Sequence, residues 1–297
     1  MMNNINQHIS LTRSTINCGK GDGCKIITID NGILSIVLDE SHGLDIYSLR
    51  YEGKLISLLT SNGMVKDSPF LTQFPGGMLY TCGLDAIGSV EGHRQHGNFH
   101  MTPAEIVRID HQENELTIVA NINITGLFSP IVTVERTINI KYLANDFSLV
   151  DLVINKSDAD QDIVMLYHFN MGYPFIDGDT QLQIGSTKIK GVNSFAEARK
   201  DKCLFLTNEY EEEEEVFYHY DANDVIKVTS NSQNLVFSLK YDKNIFPILT
   251  EWKCLVKNNV ALGIEPSMSE MGKNLRYRSL KKNEVLMNRF ELKIDKK

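Results

Sequence analysis

No segment of this 297-residue chain approaches the roughly 20 consecutive apolar residues that a membrane-spanning helix requires. The N-terminus, MMNNINQHISLTRSTIN, also lacks the apolar core of a signal peptide. Both absences predict a cytoplasmic protein with no membrane partner. Five cysteines, Cys18, Cys24, Cys82, Cys203 and Cys254, form an odd set with no C-x-x-C pair and no His/Cys spacing suited to zinc. Reduced thiols are expected, and neither a disulfide framework nor a zinc cluster. With only 7 prolines and no Pro/Ser/Gly-rich linker, the chain reads as a loose tail over residues 1–10 followed by one domain over 11–297. Basic residues are outnumbered, 30 to 38, and scattered, and the net charge of −8 excludes a nucleic-acid footprint. A neutral small molecule suits such a surface. Long helical periodicity is missing too, and only Ser194 to Lys200 offers a turn or two.

What the chain has instead is alternation. Leu116, Ile118, Ala120, Ile122 and Ile124 alternate with polar or smaller neighbours, as do Val132, Val134, Ile138 and Ile140. Both read as half-buried antiparallel strands. The stretches 25–29 and 33–38 flank Asp30-Asn31-Gly32, a hairpin turn, because Asn-Gly supplies the positive φ angles of a tight reversal. A second turn falls at Glu52-Gly53, and 55–67 carries no clear pattern. Further strands are expected over 147–155, 162–170, 181–190, 203–207, 225–229, 235–240, 249–256, 260–264 and 285–294. So many short strands predict an all-β sandwich or barrel. The acidic run Glu211 to Glu215 reads as a solvated loop or a guarded strand edge.

Four stretches interrupt this pattern with groups that could carry chemistry. DIVMLYHFNMGYPFIDGD, Asp162 to Asp179, drops His168 into an apolar strand just before a turn. FPGGMLYTCGLDAIG, from Phe74, combines close-approach glycines with Asp85 on a following loop. EGHRQHGNFHMTP, from Glu91, holds His93, His96 and His100, but Gly92 and Gly97 oppose the helix that would align them on a metal. In ALGIEPSM, from Ala261, Glu265 leaves an apolar strand beside Pro266, where partial desolvation would raise its pKa towards that of a general base. Trp252, the only tryptophan, offers an apolar face on which a sugar ring could stack.

Together these pieces resemble the aldose 1-epimerase superfamily, from about Gly32 to Phe290. Tyr167-His168-Phe169-Asn170 resembles the H-x-Y-F-N segment of the mutarotases, and Gly263-Ile264-Glu265-Pro266 their E-P segment. The runs Gly76 to Asp85, His96-Gly97, Thr102-Pro103-Ala104, Val216-Phe217-Tyr218-His219 and Glu251-Trp252-Lys253 resemble the signature of one epimerase-like branch. Asn98 and His42 depart from that signature, which has arginine at both places. The resemblance implies a galactose-mutarotase-like supersandwich of large antiparallel sheets that interconverts sugar anomers without metal or cofactor. A sugar-binding protein without turnover is the alternative. In the roles implied, protonated His168 is the general acid and ionised Glu265 the general base, His96 steadies the ring region, and Asp85, Asn170, His219, Trp252 and Lys253 contact the sugar.

Overall fold

The computed structural model describes residues 7–127, 130–207, 211, 213–256 and 259–297. Four antiparallel sheets make up the molecule. The first five strands, between Ser10–Thr15 and Lys54–Leu55, form a meander in chain order. Its first tight reversal is the one expected at Asn31, whose carboxamide oxygen accepts from the backbone N–H of Ile33 and Leu34. An eight-stranded sheet runs from Thr180–Gln183 through Val225–Ser230, Leu235–Lys240, Val285–Lys296, Asp146–Asn155, Val132–Lys141 and Glu115–Ile124 to Ala104–His111. A third sheet, here the site sheet, runs Lys188–Gly191, Glu215–Tyr220, Ile248–Val256, Asn259–Ser267, Gln161–Gly172, Arg278–Leu280. Leu79–Leu84 also pairs with Gln161–Gly172, and Leu58–Leu59 pairs with Gly76–Gly77 as a small fourth sheet. The helices are short: Phe70–Gln73, Ser194–Arg199 and a few 3-10 turns. Among the described residues no helix is long and apolar enough to cross a membrane.

The alternating stretches therefore pair as their patterns require, Leu116 with Ile140 and Ile124 with Val132, apolar residues facing inward. Expectations change at four places. Residues 181–190 divide into two strands around a turn at Gly185, and 203–207 carries only an isolated bridge at Phe205. Glu265 and Pro266 lie inside Asn259–Ser267 rather than at its end, with Pro266 opposite Leu249. Of the tail expected over residues 1–10, positions 1–6 fall outside the described residues, Ile9 is buried and Ser10 opens the first strand.

The layers are joined by a buried charge network. Arg136 is fully buried and binds Asp151 at 2.7 and 2.8 Å and Asp45 at 2.7 Å. Asp45 also accepts from the Thr81 backbone N–H at 2.8 Å and lies 2.7 Å from His100 Nδ1. From the site sheet, Tyr167 donates its hydroxyl to Asp151 at 2.6 Å. Burial alone would raise the Asp45 carboxyl, but His100 and Arg136 outweigh it and hold it below its ordinary value. Removing one partner of a buried ion pair strands the others in a medium that cannot solvate them. Arg136→Met is thus expected to cost about 3–5 kcal/mol, read as a lower urea midpoint; an unchanged midpoint would mean that the network adds nothing.

Candidate functional site

Strand alternation builds the site. Leu166 pairs with Ser267 and Phe169 with Ile264, a register that sets His168 opposite Glu265 on one face of the site sheet. Because Trp252 pairs with Gly263 and Thr250 with Glu265, Trp252 lies on that face too. Val216 and Tyr218 join it through their pairing with Trp252 and Thr250. Gly263 sits at the centre, where a Cβ would lie 2.5 Å from Glu265 Oε1 and 3.0 Å from His168 Cε1. Only the missing side chain leaves room for the two groups to meet.

They meet at 3.0 Å, His168 Nε2 to Glu265 Oε1, with both side chains more than nine-tenths buried. The approach is not aligned as a hydrogen bond, and Glu265 Oε1 and His168 Nδ1 both keep unused hydrogen-bonding capacity. Trp252 stands edge-on to His168 with ring centres 5.3 Å apart, and its Nε1–H donates to Glu214 Oε2 at 2.8 Å. Phe74 and Phe70 close the opposite wall, near His168 and His96 respectively. Together these groups line a cleft of about 640 Å³, within the range of ~300–1,000 Å³ usual for small-molecule sites.

His96 enters from the loop after Leu79–Leu84. Its backbone adopts φ +64°, which non-glycine residues rarely take, and its own N–H and C=O are tied to Gly88 and Gly83. The Gly88 N–H donates to His96 Nδ1 at 3.3 Å, so the neutral ring carries its proton on Nε2. That makes His96 a donor at the cleft wall.

Burial governs the ionisation of all three groups. It raises Glu265 well above the ordinary carboxyl value, with the Glu214 charge adding to the effect. It lowers His168 well below the ordinary imidazole value, helped by His96 and opposed by Asn170. It also lowers His96 to about 4. Burial thus opposes the order expected from the sequence, ionised Glu265 and protonated His168, because it disfavours either charge. A neutral Glu265 beside a neutral His168 holds as many protons as the ion pair, so only a proton's position separates the two states.

The other expected contacts divide. Asn170 is fully buried behind His168 and donates its Nδ2–H to the His168 carbonyl at 2.9 Å, supporting the strand rather than lining the cleft. Asp85 clasps its own loop, accepting from the Asn98 backbone and side chain and lying 3.1 Å from His93 Nδ1. His219 and Lys253 are a clear correction. They neighbour Tyr218 and Trp252 in sequence, so the two-residue period turns them to the opposite face. There His219 bonds Glu251 at 2.8 Å and Ser186 at 2.9 Å, and Lys253 Nζ lies 3.3 Å from Glu251 Oε1 and donates to the Phe205 carbonyl. Cys203, His219 and Glu251 bring donor atoms within 4.8 Å of one another, but the Lys253 ammonium already supplies that cluster's cation. His93, His96 and His100 do not converge, since His93 pairs with Asp85 and His100 with Asp45. His42 takes a buried place against Asp39 and stacks on His100.

Sequence reasoning missed Phe70, Phe74, Tyr218, Gly263 and Glu214. The acidic run is not simply solvated: Glu215 is buried against Arg199, Glu214 reaches the cleft, and Glu212 lies outside the described residues. Tyr218 stood beside His219 in one motif, and only the register with Trp252 decides which of the two faces the cleft.

The sheets, their order and this cleft define a galactose-mutarotase-like fold. A protein of Klebsiella pneumoniae proposed to be an aldose 1-epimerase superposes with a TM-score of 0.86 at 21% identity, over 96% of this chain and 83% of its own. A galactose mutarotase-like protein of Clostridium acetobutylicum gives 0.72 at 14% identity, over 98% of this chain and 100% of its own. Residues 21–288 match the model of a domain family of unknown function, DUF4432, and the chain belongs to that family. No curated protein matches.

The low His96 value has a thermodynamic consequence. A group whose pKa is depressed on folding from 6.5 to about 4 contributes fully above pH 6.5, and that contribution is lost as the unfolded chain takes up the proton first. His168 acts in the same direction, whereas raised Glu265 favours the native state as pH falls, so the His96 share must be isolated by difference. The stability gap between the unmutated protein and His96→Gln should shrink on the order of 3 kcal/mol between pH 6.5 and 4. Urea titrations at several pH values measure it, and a pH-independent gap would contradict the assignment.

Proposed function

We propose that this protein interconverts the anomers of a sugar by acid–base ring opening and reclosure. The observation that carries the reading is the 3.0 Å approach of His168 and Glu265 on one wall of a cleft faced with Trp252. Ring opening breaks the bond between the anomeric carbon and the ring oxygen, takes a proton from the anomeric hydroxyl and gives one to the ring oxygen. Rotation about the adjoining carbon–carbon bond and the reverse steps then produce the other anomer. One acid and one base suffice, and no redox or group-transfer step is involved.

A single proton passing from Glu265 Oε1 to His168 Nε2 converts the neutral pair into the carboxylate base and imidazolium acid that the reaction uses. Polar sugar hydroxyls entering the apolar cleft favour that shift by hydrogen-bonding to the charges it creates. His96 Nε2–H donates to the oxygen on which negative charge develops, and Trp252 and Phe74 pack against the ring. A sugar-binding protein without turnover needs neither a matched acid and base nor the glycine that lets them meet.

Glu265→Gln keeps the shape of the side chain but cannot exchange a proton, and His168→Asn removes its counterpart. Each is expected to slow anomer exchange by at least ~10²-fold, and the double mutant should be little worse than either single one, since the two act on one proton-transfer sequence. Exchange is followed by NMR on freshly dissolved single anomers, with thermal unfolding in parallel. A folded Glu265→Gln that exchanges as fast as the unmutated protein would rule out Glu265 as the base.

A further inference from the structure

Charge at the cleft wall points to the kind of sugar accepted, an inference that rests on the sugar-binding part of the reading above. Among the described residues no lysine or arginine lines the cleft, whereas Glu214 does. Two basic side chains near its walls are already engaged. Arg94 bonds Asp67 and the Ser68 carbonyl at 2.6 Å each, and Lys190 bonds Glu270 at 2.7 Å. Lys253 lies behind the sheet with Glu251. Glu214 has only a neutral partner, the Trp252 N–H, and no cation pairs with it among the described residues. Glu265, His168 and His96 in the cleft are pushed towards neutrality by burial.

Among the described residues the wall thus carries one carboxylate with no cationic partner, beside a row of aromatic side chains, Trp252, Phe74, Phe70 and Tyr218. Both features attract a cation: the carboxylate by direct pairing, the rings through their negative π faces. Both penalise a phosphate or sulfonate, which would have to give up its hydration against a like charge with no basic partner. Two buried polar atoms of its lining residues, Glu265 Oε1 and His168 Nδ1, keep unused hydrogen-bonding capacity.

We propose that the cleft selects an amino sugar, whose ammonium group pairs with Glu214 beside Trp252, and rejects sugars esterified with phosphate. Glu214 is then a specificity-determining residue. Trp252 provides the readout, because it is the only tryptophan and is bonded to Glu214.

The experiment titrates the protein at pH 6.5 with matched sets, galactosamine, galactose and galactose 6-phosphate and the corresponding glucose series, following Trp252 fluorescence. The amino member of a set should bind about tenfold more tightly than its hydroxyl parent. That preference should shrink in high salt and disappear in Glu214→Gln, in which the phosphate ester gains. Equal binding of amine and parent, tighter binding of the phosphate ester, a preference unchanged in Glu214→Gln, or no response to any member would each overturn the proposal. NMR anomer exchange on the same sugars separates the two readings. Selective binding without exchange leaves this proposal standing and removes the catalytic one, whereas exchange without amine preference does the reverse.

Discussion

The two-residue period of the strand Gln161–Gly172 is the constraint on which the site depends. Tyr167 faces inward, where its hydroxyl bonds Asp151 and receives a hydrogen bond from Asn288, tying the site sheet to two strands of the eight-stranded sheet. His168, one residue on, must then face the cleft. A slip of one residue would bury the imidazole between the layers and expel the phenol, so these buried polar contacts fix the register. Arg136 extends the same anchoring to Asp45 and Thr81, and hence to the strand Leu79–Leu84, whose Tyr80 sits opposite His168. His168 and Glu265 are thus positioned by contacts that their side chains take no part in.

Much of this was legible in the sequence, because antiparallel strands with one buried face must alternate. The hairpin at Asn31, the pairing of Glu115–Ile124 with Val132–Lys141 and the all-β architecture follow from local pattern and turn chemistry alone. His168, Glu265, Trp252 and His96, singled out from the sequence, lie together in one cleft. What sequence could not supply was facing. His219 and Lys253 stand next to Tyr218 and Trp252 in the same motifs, and a motif of consecutive residues on a strand always contains both faces. Only pairing between distant strands, Val216 with Trp252 and Trp252 with Gly263, decides which residues reach the ligand side. Glu265 was expected at a strand end for a related reason: proline usually ends a strand, but Pro266 is accommodated within one here.

Burial explains both the ionisation of the site and the error about it. Reading Glu265 as a carboxylate and His168 as an imidazolium treats the two as an exposed pair would behave. In a cleft where both are almost fully enclosed, creating two charges costs more than their contact returns until a polar ligand shares the load. Burial therefore favours the neutral form of each group at rest.

In the reaction proposed above, His168 and Glu265 start as a neutral pair. Imidazole ¹⁵N NMR of His168 across pH 5–8 tests it most directly, with Glu265→Gln as the comparison. The account predicts a neutral ring throughout this range, one nitrogen protonated and one not, with shifts that move when Glu265 is replaced. Both nitrogens protonated at pH 7, or shifts indifferent to Glu265→Gln, would contradict it.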